Sequence, residues 1–125
     1  MAVVLVVDDD NDMLSAYESV LTAMGHTPIT KLAVESGPQT IRDVGAEALL
    51  IDLQRPDEDD FGLRIIEEVR IDPDLGDLPI ILCSGAAEAM RPLNDRLAGL
   101  RVPVVGKPFS IDELEKTLAT ALQRR

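Results

Sequence analysis

Val3-Val4-Leu5-Val6-Val7-Asp8-Asp9 is an apolar run that stops on two carboxylates. It is short, shows no polar alternation and is rich in β-branched valine, the pattern of a parallel strand apolar on both faces. The pattern returns three times. Residues 48–51 stop on Asp52, residues 80–83 stop on Ser84, and residues 102–105 are followed, after Gly106, by Lys107. A weaker strand is predicted over 27–32, where Pro28 suits an edge position. In an open α/β sheet, ligands bind beyond the carboxyl ends of the strands. Asp8, Asp9, Asp52, Ser84 and Lys107 are therefore expected to converge on one small site.

Amphipathic segments separate the runs, so βαβ units are expected. A first helix is predicted over 12–24, with Asn11 or Asp12 as N-cap, Gly25 as its stop, and Leu14, Tyr17, Leu21 and Met24 on one face. A second spans 37–44, with Pro38 in its first turn and Gly45 as its stop. A third, over 63–71, turns Ile66 and Val69 inward and ends before Asp72-Pro73. The fourth falls within 87–98, where Pro92 requires either a late start or a kink. The last opens on a capping box, Ser110 with Glu113, and has Ile111, Leu114, Leu118 and Leu122 as its apolar face. The expected fold is a flavodoxin-like, doubly wound (βα)₅ unit over residues 1–125, with a parallel five-stranded sheet in the order 2-1-3-4-5. The chain stops just after the fifth helix, so no output domain is expected.

At 125 residues the chain can bury one core without disulfides or metal staples. The single cysteine, Cys83, lies inside an apolar run and reads as a small buried hydrophobe in a reducing compartment. No segment has the make-up of a signal peptide, and no apolar stretch approaches a membrane span, so a cytoplasmic location is expected. A formal net charge of −11 argues against direct nucleic-acid binding, and Tyr17, Phe61 and Phe109 are too few aromatics for a stacking platform. The acidity suits a metal cation or a basic partner, or simply solubility.

Adjacent carboxylates at a strand end repel one another unless a cation neutralises them, and Mg²⁺ favours such hard oxygen ligands. Asp8 and Asp9 therefore read either as a metal site or as part of a solvated loop, whereas Asp10 and Asp12 suit a loop that caps the first helix. Asp52 sits at the topological switch point, where a carboxylate could share the metal and attack phosphorus as a nucleophile. Lys107 could hold a phosphoryl oxygen and Ser84 could donate to one; either could equally be an ordinary surface or loop residue. His26 is expected to face solvent near the edge strand.

Four segments, 4–10 (VLVVDDD), 49–56 (LLIDLQRP), 79–85 (PIILCSG) and 104–109 (VVGKPF), together resemble the receiver domain of two-component response regulators. Their order and spacing run across essentially the whole chain. The resemblance implies that Asp52 accepts a phosphoryl group from a sensor histidine kinase or a histidine phosphotransfer protein. It makes Asp9 the main ligand of Mg²⁺ (or Mn²⁺), with Asp8, Asp52 and the main-chain carbonyl of Gln54 beside it. Ser84 and Lys107 match the switch hydroxyl and the lysine of the family, and Lys107-Pro108 matches a bond that is cis there. The implied role is a signalling switch, monomeric or weakly dimeric, rather than a turnover enzyme. Its implied partner surface is the helix 4–strand 5–helix 5 face.

Two departures stand out. The family has Tyr or Phe three residues before the lysine, where this chain has Val104, so the signal is expected to pass through the loop after strand 4 and the Pro92 segment instead. The acidic stretch Asp57-Glu58-Asp59-Asp60 lengthens the loop after Asp52, as a tolerated insertion or as a means of tuning metal affinity or partner choice. Gln54 and Ala86 occupy positions that tune phosphoryl lifetime in the family. Two further functions compete: a receiver-like module that signals without phosphorylation, and a small Mg-dependent phosphohydrolase using the Asp8/Asp10 pair.

Overall fold

A computed structural model describes residues 2–52, 61–85, 93–106 and 109–123. Its elements alternate: β1 (Val3–Val7), α1 (Asn11–Ala23), β2 (Thr27–Lys31), α2 (Gly37–Val44), β3 (Ala48–Asp52), α3 (Phe61–Ile71), β4 (Ile80–Ser84), α4 (Asn94–Gly99), β5 (Val104–Gly106) and α5 (Ile111–Gln123). All pairings are parallel and the sheet order is β2-β1-β3-β4-β5, the flavodoxin-like topology expected.

Side chains alternate across a strand, so each central strand supplies two cores. Leu5, Val7, Leu49, Ile51, Ile80 and Leu82 pack on one side with Ile65, Ile66 and Val69 of α3. Val4, Val6, Leu50, Ile81 and Cys83 pack on the other with Tyr17 of α1 and with Leu114 and Leu118 of α5. The same alternation continues past the apolar runs. Asp8 follows Val4 and Val6, and Asp52 follows Ala48 and Leu50, so both carboxylates emerge on the α1/α5 side. Among the described residues no helix is long and apolar enough to cross a membrane.

Several boundaries differ from expectation, each for a local reason. The N-cap of α1 is Asp10, whose carboxylate accepts from the Asp12 and Met13 amides at 2.8 and 3.4 Å. That bond satisfies amides that have no carbonyl partner in the first turn. Helix α3 begins at Phe61, two residues early, and buries that ring. Strand β5 begins at Val104 rather than at residue 102. Arg101 adopts φ 61° and the Val102 amide is drawn back to the Leu97 carbonyl at 3.0 Å, while Pro103 has no N–H to give. Ile111 is 57% exposed, so the buried stripe of α5 is Leu114 and Leu118. Within the segment expected to hold the fourth helix, Asn94–Gly99 is described, and Pro92, on which the choice between a late start and a kink turns, lies outside the described residues. Arg96 ties this helix to Glu67 of α3.

His26 is half-buried rather than solvent-facing, and its Nδ1 accepts from the Ala2 amide at 3.0 Å. That bond needs the neutral ring, and burial is the main cause holding the imidazole below its ordinary pKa of 6.5. The unfolded chain therefore binds the proton first, so this group's contribution to stability falls as pH drops from about 6.5 through the folded value. Proton NMR of the sole histidine should give a midpoint below 6.5, and a midpoint above it would contradict the neutral-acceptor geometry.

Gly37 marks the close approach of α2 to α3. A Cβ there would stand 2.7 Å from Ile65 Cγ2 and 3.2 Å from Val69 Cγ2, while the Gly37 amide donates to Glu68 Oε1 at 3.3 Å. Ile65 and Val69 are fully buried and have little room to yield. Gly37→Ala should therefore destabilise the fold by about 1–3 kcal/mol in urea unfolding, the usual cost of overpacking.

Candidate functional site

The ends of β1 and β3 bring three carboxylates together. One oxygen from each of Asp8, Asp9 and Asp52 lies within 4.8 Å of the others. The three are graded in exposure: Asp8 is buried, Asp52 half-buried and Asp9 exposed, so the cluster has a floor and a mouth. Asp8 is fixed on both sides. Its amide donates to the Lys31 carbonyl at 3.2 Å and its Oδ1 accepts from the Asp10 amide at 3.0 Å. Asp10 then caps α1, so the turn from strand to helix is tied down residue by residue. Neither Asp10 nor Asp12 joins the carboxylate cluster, in keeping with the capping reading.

Ser84 ends β4 and is only 4% exposed. The register places Asp52 opposite Cys83 and Ser84 opposite Gly106, so Ser84 stands one residue further out than Asp52 along the strand ends. Lys107 follows Gly106 directly in sequence, but Lys107, Pro108 and Gln54 lie outside the described residues, as do Ala86 and the acidic stretch 57–60. Val104 pairs in register with Leu82 on the outermost strand and is 38% exposed. A branched, three-carbon side chain there cannot swing between buried and exposed rotamers as a ring can.

The donors at this site are hard, anionic oxygens without sulfur or imidazole. Such a set suits Mg²⁺ or Mn²⁺ and poorly suits softer metals.

Tyr17 was expected only as a core residue of α1, and the structure gives it a second position of interest. Its ring stacks on Phe109, with centroids 5.0 Å apart and planes 10° from parallel. Its hydroxyl is buried and, among the described residues, finds no oxygen or nitrogen partner; the polar group beside it is the weakly bonding Cys83 thiol. Burial pushes this phenol far above its ordinary pKa, and Cys83 and the charges of Asp8 and Asp52 push the same way. The hydroxyl thus stays protonated beneath the carboxylate cluster. A tyrosine on a buried helix face near a strand end was the available sequence signal, because a buried phenol requires an account of its oxygen.

No protein-family model matches the chain. Known proteins do. It is 28% identical over 123 residues to a probable transcriptional regulator, ycf27, of Cyanidium caldarium, covering 96% of this chain and 46% of that protein. The chain spans about half the length of the curated relatives it matches, such as this one and the transcriptional regulatory protein GltR of Pseudomonas aeruginosa. Among solved structures, a response-regulator candidate from Chloroflexus aurantiacus superposes with a TM-score of 0.81 at 26% identity, covering 98% of each chain. The receiver domain of a sensor histidine kinase from Pseudomonas aeruginosa, with a magnesium ion coordinated in its active-site cleft, gives 0.76 at 25% identity, again over 98% of each.

The Tyr17 hydroxyl makes a testable contrast. Tyr17→Phe keeps the stack and removes an oxygen that has no oxygen or nitrogen hydrogen-bond partner among the described residues, so it should change stability by less than about 1 kcal/mol, or raise it. Tyr17→Ala should cost about 3–5 kcal/mol in the same urea titration.

Proposed function

We propose that this chain, whose structural neighbours are receiver domains, acts as a phosphorylation-controlled signalling switch with Asp52 as phosphoacceptor. The observation that carries this is the convergence of Asp8, Asp9 and Asp52 at adjoining strand ends, with a buried serine hydroxyl at the end of the next strand. The donor would be a phosphohistidine on a sensor histidine kinase or a histidine phosphotransfer protein. An Asp52 oxygen attacks phosphorus, a P–O bond forms as the P–N bond breaks, and the imidazole leaves with its electron pair and takes a proton.

Asp8, Asp9, Asp52 and the main-chain carbonyl of Gln54 would hold Mg²⁺ or Mn²⁺, which when bound neutralises charge on the transferring oxygens. Asp8 supplies a fixed, buried wall, since its backbone and carboxylate are both hydrogen-bonded. Lys107 would hold a second phosphoryl oxygen and Ser84 would donate a hydrogen bond to a third. With Val104 at the usual aromatic position, Ser84 engagement would be relayed through the segment after β4 to the α4–β5–α5 face, where a protein target binds. Phosphorylation then shifts the population between two conformations of unequal partner affinity. No external substrate is turned over, which separates this reading from a phosphohydrolase.

Incubation with acetyl phosphate and Mg²⁺ should give a single phosphate adduct by intact mass, absent in Asp52→Asn. No adduct in the wild-type chain would favour a module that signals without phosphorylation, and steady release of phosphate from small esters would favour the hydrolase. Mg²⁺ at ten times its dissociation constant should stabilise the fold by about 1.4 kcal/mol, seen as a rise in Tm. Asp9→Asn should remove most of that rise.

A further inference from the structure

The late start of β5 has a structural result at the opposite end of the sheet from Ser84. Because the strand begins only at Val104, the first residues of β4 lack a full neighbour, and a cavity of about 590 Å³ opens there. Pro79, Ile80 and Pro103 form an apolar floor, and Thr117 and Thr120 of α5 present hydroxyl-bearing side chains. The size falls within the roughly 300–1,000 Å³ of small-molecule sites and exceeds what a bare inorganic anion fills.

The charge of the lining runs against the rest of the molecule. The chain carries 23 acidic residues against 12 lysines and arginines, yet this cavity is lined by Arg70, Arg101 and Lys116 with Asp77 as the single carboxylate among the described residues. Asp77 is engaged by Arg101 at 2.9 Å. Arg70 and Lys116 have no carboxylate within 4 Å among the described residues.

Arg70 is half-buried and is held by carbonyls: Nε donates to Leu100 at 2.6 Å, and Nη1 to Gly76 at 3.2 Å and Leu78 at 2.7 Å. Carbonyl dipoles take up its N–H groups, and the opposite charge that acts on it, Asp77, is the carboxylate already paired with Arg101. Burial, and then the nearby Arg101, hold the guanidinium below its ordinary pKa. Arg101 in turn is the only non-glycine with positive φ among the described residues, and it also donates Nη2 to the Gly76 carbonyl at 2.8 Å. Two guanidiniums, one from α3 and one from the residues before β5, thus meet at the Gly76 carbonyl, and Arg101 stands on a backbone that L residues avoid.

We propose that this cavity is a binding site for a small organic anion, a carboxylate or phosphate monoester carried on an apolar or ring-shaped body. The head group lies among Arg70, Arg101 and Lys116, where it relieves the like-charge pair, and the body rests on Pro79, Ile80 and Pro103. Thr117 and Thr120 supply neutral hydrogen bonds at the rim. This site shares no residue with the carboxylate cluster and does not depend on phosphorylation of Asp52.

The test is an amide NMR titration of the full chain, without Mg²⁺, using phenyl phosphate, inorganic phosphate and benzyl alcohol as probes. Phenyl phosphate should give saturable shifts centred on Ile80, Arg101, Thr117 and Thr120, and inorganic phosphate should bind at least about tenfold more weakly. Benzyl alcohol should not saturate. Lys116→Gln, at an exposed helix position, should weaken phenyl phosphate by about tenfold. Arg101→Gly, which keeps the left-handed backbone, should weaken it at least as much. Equal binding of benzyl alcohol, equal binding of inorganic phosphate, shifts centred elsewhere, no saturable shift, or an unaltered Lys116→Gln would each overturn the proposal.

Discussion

The constraint on which this structure depends is the burial of β1, β3 and β4 on both faces. A strand covered on both sides has no route to water for its backbone groups, so every one must enter the ladder. The ladder here is wholly parallel, which makes all strands finish at one edge. Residues that follow the apolar runs therefore meet at that edge whatever their charge. Three carboxylates lie within 4.8 Å because the backbone ladder and the two cores hold the strands in register. Their mutual repulsion is tolerated at the rim of a sheet that hydrophobic burial stabilises elsewhere.

The fold was largely legible because its signals are redundant. Four apolar runs, the Gly45 stop of α2 and the Ser110 cap of α5, whose hydroxyl accepts from the Glu113 amide at 2.9 Å, agree with one another. Legibility failed where several residues of one type compete or where a turn overrides propensity. Between residues 8 and 12, four aspartates can cap, and periodicity does not say which; the backbone exit from β1 decides for Asp10. At residues 102–103 the apolar run suggests strand, but the left-handed Arg101 before it and Pro103 within it postpone it. Ile111 follows the helical spacing of the core residues yet sits in the first turn, where it lines a groove beside Val20 of α1 and Met24, the residue that caps α1. His26 lacked any sequence signal for its bond to Ala2, which arises from strands adjacent in space rather than in the chain.

Of the candidate site, sequence identified the residue types and the strand ends, and the structure added their unequal environments. Asp8 is buried and fixed, Asp9 is exposed and Asp52 lies between, a grading that no linear pattern contains. Sequence also read Tyr17 as packing alone. Its position beneath the carboxylates depends on the angle at which α1 crosses the sheet and on the Phe109 ring, both products of tertiary packing.

The two outer strands bear on how copies of this chain meet. An open sheet edge is a template on which another chain can add its own strand. At β2, the Thr27 amide points inward to the Ala2 carbonyl, so the next position faces outward, and there Pro28 has no hydrogen to offer. At β5, the ladder among the described residues is three residues long and offers little length to extend. One edge is blunted by proline and the other by brevity, so main-chain addition is disfavoured on both sides. At the described sheet edges, contact between copies therefore falls to side-chain chemistry rather than to backbone pairing.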